Sequence, residues 1–363
     1  MLSVYKDKKV LITGHTGFKG SWLSIWLHKL GAEVIGLSDC IPSAPSNFEE
    51  SNISSFIKDY RIDVCDTEKV KEVICKEQPD FIFHLAAQAL VRPSYINPVE
   101  TMKVNAIGSA NVLDALRDYN KDVVILMITS DKAYDNVEWE WGYRETDALG
   151  GKDPYSASKG MAELVIRSYV ESYFKNKSNI KVGITRAGNV IGGGDWARDR
   201  IVPDCMKAWS TNETVEIRSP KATRPWQHVL EPLSGYLNLG AALFNTETLH
   251  GSAFNFGPAA HNNQSVSDLI EEMKKYWKNV SWKDTSDHDQ VFHEAGLLKL
   301  NCDKALMKLG WLPTLSFDET VEFTVSWYKE YYSQSSENMY SMTSNQIDKY
   351  TALAVERGIS WTK

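Results

Sequence analysis

Two residues with catalytic potential, Tyr155 and Lys159, stand four positions apart in the segment DPYSASKG. In a helix this spacing places both side chains on one face. A lysine ammonium group beside a tyrosine favours the phenolate, so we expect a lowered Tyr155 pKa and a pair that acts as a base toward a hydroxyl group. The alternative is a surface pair without function, because both residue types are common in helices.

An apolar run ends abruptly in the segment MITSDKAYDN, where Ser130, Asp131 and Lys132 follow one another. Parallel sheets bind ligands beyond the carboxyl ends of their strands, which is where Ser130 would lie. We expect the Ser130 hydroxyl to hold the reacting oxygen in line with Tyr155. Asp131 and Lys132 would face the same ligand, although a solvated turn after a strand also favours Asp.

A glycine loop precedes these residues in the segment TGHTGFKG, with Gly14, Gly17 and Gly20 in the pattern G-x-x-G-x-x-G. The loop follows the apolar run KVLIT and leads into a helical pattern. In that context glycine allows the tight turn and the close approach of a pyrophosphate to the positive end of the helix. The motif therefore predicts a dinucleotide site and favours the catalytic interpretation of Tyr155 and Lys159.

Several charged residues around this loop have open roles. Asp39 ends the second predicted strand and would either bind an adenosine ribose or serve as an ordinary turn residue. Asp63 would accept a hydrogen bond from the adenine amine. His15 would contact the pyrophosphate or have no ligand contact, and Lys19 is a candidate for a charge contact that would also tolerate the extra phosphate of NADP.

Strands and helices alternate along the first half of the chain. Strands are predicted at KVLIT, AEVIGL, DFIFHLA, VVILMITS and KVGITR, with helices at 18–30, 67–76, 106–119 and 155–175. Nearly continuous apolar strands that alternate with helices predict an α/β fold: a Rossmann-type doubly wound parallel sheet.

The chain is expected to divide into a Rossmann domain at 1–187, a smaller mixed α/β substrate lobe at 188–335 interleaved with it, and a polar C-terminal tail at 336–363. The lobe pattern predicts helices at 229–244, 266–277 and 317–332 and a strand at 253–256. The segments SQSSEN and MTSNQ indicate a loosely held tail.

Composition excludes several functional classes. The net charge of −7 argues against general binding to nucleic acid or to an anionic membrane. We find no signal-peptide pattern and no apolar run long enough to span a membrane, so we expect a cytoplasmic protein. Five scattered cysteines without a C-x-x-C pair predict reduced structural thiols and no metal site.

The glycine motif, the strand-end serine and the Tyr-x-x-x-Lys pair together resemble the extended short-chain dehydrogenase/reductase family over about residues 8–320. The resemblance implies bound NAD, a Ser-Tyr-Lys site and a nucleotide-sugar substrate held by the C-terminal lobe. HLAAQ matches the family's cofactor wall and RAGNVIGGGDW its substrate loop. The predicted cofactor contacts are Gly14, Thr16, Gly17, Phe18, Lys19, Gly20, Asp63, Val64, Leu85, Ala86, Gln88, Asn105, Tyr155 and Lys159.

Longer segments, among them TSDKAYDN, EWGYRE and RPWQHVLEPLSGYL, narrow the resemblance to the nucleotide-sugar 4,6-dehydratases and imply CDP-glucose as substrate. Most sugar dehydratases of this family carry Asp-Glu where this chain has Asp131 and Lys132. We expect Asp131 to act as the acid at C6 and Lys132 as the base at C5. A 4-epimerase or reductase, which needs neither residue, and a non-catalytic NAD(H)-binding protein are the alternatives.

The substrate diphosphate requires local cations in this acidic chain. Arg200 and Arg224 are the candidates, and the resemblance adds Asn189 as a hydrogen-bond donor. His228 would line the pocket or be a neutral core residue, and Trp196 and Trp226 are candidates to stack on the base. As in the family, helices 106–119 and 155–175 would pair across a homodimer or a dimer of dimers.

Overall fold

The architecture is built on one parallel sheet. The computed structural model describes residues 1–259, 262–286, 297–333 and 338–362. The seven sheet strands, numbered in chain order, are Lys9–Thr13 (β1), Glu33–Ser38 (β2), Lys58–Arg61 (β3), Phe81–His84 (β4), Val123–Ile128 (β5), Ile180–Arg186 (β6) and Ser252–Asn255 (β7). Their order across the sheet is β7-β6-β5-β4-β1-β2-β3, and every neighbouring pair is parallel. The predicted Rossmann-type sheet is confirmed.

Helices cover both faces of this sheet and form the lobe beside it. They are Phe18–Lys29 (α1), Asn47–Glu50 (α2), Thr67–Glu77 (α3), Val91–Ile96 (α4), Pro98–Met102 (α5), Gly108–Asp114 (α6), Pro154–Tyr169 (α7), Ile201–Ser210 (α8), Leu230–Asn245 (α9), Val266–Met273 (α10), Asp303–Leu309 (α11), Phe317–Tyr332 (α12) and Met339–Glu356 (α13). Two-residue strands at Val190–Ile191 and Gln227–His228 pair beside the sheet, Thr223–Arg224 pairs with Gln264–Ser265, and Val215–Ile217 pairs with Trp282–Asp284.

The sheet is buried on both faces because its strands are apolar throughout. In β1, Val10 and Ile12 belong to the core under α1 and α9, while Leu11 belongs to the core under α3, α6 and α7. The order of the strands reverses between β1 and β4, which carry the glycine loop and the HLAAQ segment at their carboxyl ends. A crevice at such a reversal is the general ligand position of this architecture.

Several elements lie where the sequence predicts them. β1 and α12 have the predicted bounds, and α1 ends one residue early, before Gly31 with φ +83°. The predicted helix 106–119 is shorter and continues a π-helical turn at Lys103–Ile107. The structure adds β3 and the helices α2, α4, α5, α8 and α11. β3 has the polar sequence KDYR and gives no apolar signal because it forms an edge of the sheet.

Two elements within the predicted interleaved segment, residues 188–335, are part of the large sheet or pack on it. β7 pairs with β6, with Ser252 opposite Gly183, and forms the second edge of the sheet. Helix α9 packs on β5 and β6, where Leu239 and Leu243 would meet any side chain added at Gly183. The chain therefore returns to the Rossmann sheet after residue 188.

The prediction of a loose C-terminal tail is wrong for the part of the tail that the structure describes. α13 spans 18 residues and packs against α1 and α12, with Ile347 and Tyr350 buried. Trp361 stacks on Tyr350 at a ring-centroid distance of 5.9 Å. The apolar pattern of α13 is hard to recognise in the sequence because polar residues cover the outer face of the helix. On that face, Asp348 pairs with Lys29 of α1 at 3.1 Å. Residues 334–337, within SQSSEN, lie outside the described residues.

Candidate active site

The polar residues after β5 turn into the protein. Ser130 and Asp131 are both buried, and the Ser130 hydroxyl donates a hydrogen bond of 2.9 Å to Asp131 Oδ1. Ser130 Oγ also accepts from the backbone N–H of Lys132 at 3.2 Å, which caps the short 3₁₀ turn Asp131–Ala133. This cap makes the strand end abruptly and fixes the direction of the three consecutive side chains.

Tyr155 and Lys159 lie in the first turns of α7. Asp153 starts the helix by accepting a hydrogen bond from Ser156 N at 3.0 Å, and Pro154 fills the first helical position. Both side chains are buried, and Lys159 Nζ lies 5.9 Å from the centroid of the Tyr155 ring. A hydrogen bond with Ser130 lowers the pKa of Tyr155, so serine, tyrosine and lysine form one cluster.

The acid–base properties of this pair differ from the expectation. Burial raises the pKa of Tyr155 to about 12, and the hydrogen bond with Ser130 and the charge of Arg200 only partly oppose it. The expected lowering of the Tyr155 pKa is therefore wrong, because loss of hydration outweighs the hydrogen bond with Ser130 and the charge of Arg200. Burial also lowers the pKa of Lys159 to about 8, against the opposing charge of Glu163 one turn along the helix.

Lys132 is half-buried beside these residues. Its neighbour Asp131 is held in place by the space at Gly188, a contact that no sequence signal indicates. A Cβ atom at Gly188 would lie 1.8 Å from Asp131 Oδ2. Only glycine therefore leaves room for the carboxylate between β5 and the loop after β6. This contact joins residues far apart in the chain.

The glycine loop has the shape that a dinucleotide requires. Cβ atoms at Gly14 and Gly20 would collide with the backbone of the loop or of Ala86, at 2.7 Å and 2.2 Å, so both glycines are fixed by packing. A Cβ at Gly17 would meet only the Gly14 carbonyl oxygen, at 3.4 Å. Gly17 caps the N-terminus of α1, where open space and the helix dipole suit a pyrophosphate.

The polar side chains within the loop are used internally. His15 is buried, and its Nε2 lies 2.9 Å from Asp59 Oδ1 of β3. The hydroxyl of Thr16 hydrogen-bonds Ser38 Oγ and the carbonyl of Cys40. Thus His15 connects the glycine loop to β3, which fits the alternative that it makes no ligand contact.

Most of the remaining predicted cofactor residues follow β3 and β4 at the carboxyl edge of the sheet. Leu85, Ala86 and Gln88 follow β4, and Gln88 N donates to Asn105 Oδ1 at 2.9 Å. Asn105 in turn donates to Ser158 Oγ at 2.7 Å, which ties this wall to α7. Val64 is buried, while Asp39 and Asp63 are exposed after β2 and β3, with their carboxylates accepting from Cys40 N and Cys65 N.

On the substrate side, Arg200 bonds Asp195 Oδ2 at 2.7 Å, and the charge of Asp195 raises the pKa of Arg200. The charge of Arg200 also lowers the pKa of Tyr155. Asn189 has φ +50°, and its carbonyl accepts from Gln227 N at 3.3 Å. A pocket beside Asp131 is lined by Gly188, Pro225, Gln227, Asn262 and Lys299, and Arg224 precedes this wall in the chain.

Three aromatic candidates lie in the core. His228 is fully buried between Trp22 and Phe323, and burial lowers its pKa to about 3. His228 therefore fits the alternative of a neutral core residue, and its role toward a substrate stays a prediction.

Stacking on a base is also wrong for the two tryptophans. Trp196 packs against Trp327, Tyr328 and Tyr331. Trp226 is buried and donates to the Gln264 carbonyl at 3.1 Å. Burial of both indoles leaves no ring face for a nucleotide.

The surroundings of Lys19 have no signal in the sequence. Its Nζ lies 6.0 Å from the centroid of the Tyr236 ring of α9. Burial lowers the pKa of Lys19 to about 8, and the charges of Arg200, Asp131 and Lys159 act on it. The charged groups that act on Lys19 thus come from distant parts of the chain, although Lys19 itself stands in the glycine loop motif.

Comparisons with known proteins identify the family of the chain. The family described as GDP-mannose 4,6 dehydratase matches residues 11–324. The chain is 42% identical to the CDP-glucose 4,6-dehydratase of Salmonella typhimurium, over 95% of this chain and 97% of that protein. It is 25% identical to the CDP-paratose 2-epimerase of Salmonella typhi, with 88% and 98% covered.

Solved structures show the same fold. An epimerase from Methanothermobacter thermautotrophicus has a TM-score of 0.79 at 25% identity, with 92% of this chain and 95% of that chain covered. The UDP-glucose 4-epimerase of Thermotoga maritima has a TM-score of 0.74 at 24% identity, with 89% and 99% covered. No helix among the described residues is long and apolar enough to cross a membrane. The chain therefore belongs to the GDP-mannose 4,6 dehydratase family, within the extended short-chain dehydrogenase/reductases that its motifs resemble.

Proposed function

We propose that this chain is a CDP-glucose 4,6-dehydratase, which converts CDP-D-glucose to CDP-4-dehydro-6-deoxy-D-glucose with bound NAD. The observation that carries the proposal is the buried Asp131 hydrogen-bonded to Ser130, with Lys132 next in the chain, beside the Tyr155 and Lys159 pair. Dehydration needs this second set of acid–base groups, whereas epimerization and reduction do not. The activity named for the relative at 42% identity agrees with it.

The dinucleotide would be held by Gly17 and the N-terminus of α1, with the wall from Leu85 to Gln88 on one side. When bound, NAD accepts a hydride from C4 of the hexose and later returns it to C6. The open space at Gly17 supports this placement. The exposed Asp39 after β2 supports an unphosphorylated ribose, because an acid at this position accepts from its hydroxyl groups.

Proton removal from the C4 hydroxyl falls to Tyr155. Its pKa of about 12 makes a free phenolate costly, so the positive charges of Lys159 and Arg200 must balance the phenolate as it forms. Ser130, which donates to Asp131 and lowers the pKa of Tyr155, orients the C4 oxygen. The resulting 4-ketone acidifies the hydrogen at C5.

Elimination of water across C5 and C6 then uses the two residues after Ser130. Lys132 takes the proton at C5, and the Asp131 carboxyl group faces the departing C6 hydroxyl. Gly188 holds Asp131 in this direction, because any larger residue would displace its Oδ2 atom.

The substrate test compares turnover of CDP-, dTDP-, GDP- and UDP-glucose with added NAD+ or NADP+. We expect a 4-keto-6-deoxy product, detected by its absorbance in alkali, from CDP-glucose with NAD+. Inversion at C4 without loss of water would support a 4-epimerase instead, and NAD+ binding without turnover of any sugar would support a non-catalytic role.

The role of Lys132 has its own test. In deuterated water, the Lys132→Ala protein should still oxidize C4. Both deuterium incorporation at C5 and product release should be at least about a hundredfold slower than in wild type, as expected for loss of a general base. Exchange and dehydration at the normal rate would show that another group removes the C5 proton.

A homodimer is part of the proposal. α5, the π-helical turn at Lys103–Ile107, α6 and α7 pack side by side and leave an apolar outer face. Val99, Ile107, Met161 and Leu164 on this face are 40–77% exposed. A second copy of the chain would bury these side chains in a bundle of helices around a twofold axis.

A further inference from the structure

Gln227 has a side-chain amide that the protein satisfies only in part. The residue is 1% exposed, and its Nε2 group donates to the carbonyl oxygens of Gly188 at 2.9 Å and Phe256 at 3.1 Å. These two bonds use both amide hydrogens and fix the orientation of the group, since the reverse orientation would place Oε1 against two carbonyl oxygens. Among the residues that the structure describes, no donor reaches Oε1. The amide therefore holds a fixed and unused acceptor.

This amide belongs to the wall of the pocket beside Asp131. Asp131, Gly188 and Gln227 all line that pocket, together with Asn262 and Lys299. Gly188 contacts both of the other two residues: a Cβ atom at Gly188 would lie 1.8 Å from Asp131 Oδ2, and its carbonyl oxygen accepts from Gln227 Nε2. The carboxyl group and the amide therefore border the same space from two sides of one glycine.

The backbone around Gln227 holds the amide rigidly. The short strand Gln227–His228 pairs with Val190–Ile191, and the Gln227 N–H donates to the Asn189 carbonyl at 3.3 Å. The Nε2 bonds then connect this strand to the segments that follow β6 and β7. These contacts account for the donors of the amide. They do not account for its acceptor, because a buried acceptor without a partner costs free energy that a ligand hydroxyl would recover.

We propose that Gln227 Oε1 accepts a hydrogen bond from the C6 hydroxyl of the hexose and thereby selects sugars that carry this group. The inference rests on the proposed dehydratase function, in which the Asp131 carboxyl group faces the same hydroxyl. An acid donates its proton to the hydroxyl oxygen, so the hydroxyl's own hydrogen requires a different acceptor. Gln227 Oε1 supplies that acceptor and leaves a lone pair of the hydroxyl oxygen directed at Asp131.

The hydrogen bond can persist while water is eliminated. The C6–O bond breaks with its electron pair on oxygen, the electrons of the C5–H bond form the C5=C6 double bond, and the proton from Asp131 completes the water molecule. The hydrogen that points at Gln227 stays on the oxygen throughout. The amide therefore binds and orients the leaving group and neither gains nor loses a proton.

The first test compares three ligands on the wild-type enzyme. CDP-glucose, CDP-6-deoxyglucose and CDP-6-deoxy-6-fluoroglucose are titrated calorimetrically into enzyme loaded with NADH, which prevents oxidation of C4. We expect CDP-glucose to bind about 2–10-fold more tightly than the 6-deoxy compound, the value of one hydrogen bond. The fluoro compound should bind as weakly as the 6-deoxy compound, because fluorine has no hydrogen to donate. Binding of the fluoro compound as tight as that of CDP-glucose would overturn the proposal.

Two variants separate the acceptor of the amide from its donors. Gln227→Met and Gln227→Glu both lose the Nε2 group, but only glutamate keeps an oxygen acceptor. We therefore expect equal affinity for CDP-glucose and the 6-deoxy compound in Gln227→Met, and a retained preference in Gln227→Glu. Binding is the readout because a glutamate would also compete with Asp131 for a proton during turnover. A preference that Gln227→Met retains would overturn the proposal.

Gln346→Met on α13 is the matched control. Gln346 is also a buried amide whose Nε2 group is bonded, to the Phe323 carbonyl at 2.7 Å and Ser326 Oγ at 3.1 Å, and whose Oε1 has no partner among the described residues. It is not among the residues that line the pocket beside Asp131. The control should lower thermal stability, as Gln227→Met does, and leave the ligand preference unchanged. An equal loss of preference in both variants would indicate a general structural effect and overturn the proposal.

Two further measurements assign any failure. Gly188→Ala should displace Asp131 but keep the amide, so it should retain the preference; loss of the preference in Gly188→Ala alone would assign the hydroxyl to Asp131 and overturn the role of Gln227. Turnover of CDP-glucose by the wild type is measured first. Absence of the 4-keto-6-deoxy product would refute the proposed function, whereas normal product with equal binding of all three ligands would refute only the role of Gln227.

Discussion

A buried ion pair behind the active site offers a quantitative test of the structure. Arg186 at the end of β6 and Glu163 of α7 are both fully buried and form two parallel hydrogen bonds, Nε to Oε1 at 2.8 Å and Nη2 to Oε2 at 3.0 Å. Thr129 donates to the same carboxylate at 2.6 Å, next to Ser130. The pair thus joins the sheet to helix α7.

Arg186→Met removes the cation and leaves the Glu163 carboxylate buried with Thr129 as its remaining donor. Loss of one partner from a buried pair costs about 3–5 kcal/mol. With an unfolding entropy of about 2.1 cal/mol/K per residue, the 363 residues have a total of about 0.76 kcal/mol/K. The expected fall in the unfolding midpoint is therefore about 4–7 °C.

The double variant Glu163→Met/Arg186→Met tests the reasoning, with calorimetry as the assay. It should recover most of the loss, because apolar residues of similar volume often replace a buried pair at no cost. Thr129 keeps a second acceptor, the Thr185 carbonyl. Lys175→Met breaks the exposed pair with Glu171 and should leave the midpoint unchanged. A single variant as stable as wild type, or a double variant no better than the single, would refute the account.

Four further outcomes are expected. Gly17→Ala should weaken NAD+ binding at least about tenfold without a change in thermal stability, because the added methyl group meets only the Gly14 carbonyl oxygen at 3.4 Å. Calorimetric titration measures the affinity, and an unchanged affinity would exclude the pyrophosphate site. Gly188→Ala should displace Asp131 and slow product release at least about a hundredfold while reduced nicotinamide still forms in a single turnover. The rate of C4 oxidation should fall as pH rises through about 8, because Lys159 loses its charge there; a flat stopped-flow profile across this range would contradict it. Leu164→Glu should convert a dimer to a monomer in light scattering, and a wild-type monomer would exclude the proposed interface.

The parts of the fold with periodic apolar patterns could be predicted from the sequence. β1 and α12 are examples, because their burial follows from local residues alone. β3 could not, since a polar edge strand is recognised only when β2 pairs with it. α13 was missed because the apolar residues that pack on α1 are spaced among polar ones that face solvent.

The same distinction between local patterns and contacts of distant segments holds for the candidate site. Ser130, Tyr155 and Lys159 were found because a motif places them, and the structure brings them together. The surroundings of Lys19 could not be found, since its neighbours come from four separate elements. Likewise the raised pKa of Tyr155 depends on burial, which no four-residue spacing reveals.

The late edge strand β7 has a consequence for any attempt to separate cofactor binding from substrate binding. A fragment that stops at residue 187 would lack β7 and α9. It would expose the hydrogen-bonding edge of β6 and the apolar side chains over β5, the kind of surface that drives strand-to-strand aggregation. The nucleotide-binding half is therefore not an independent module. Exchange of substrate lobes between relatives must carry residues 230–255 with the sheet, or the recipient will be insoluble before its specificity can be measured.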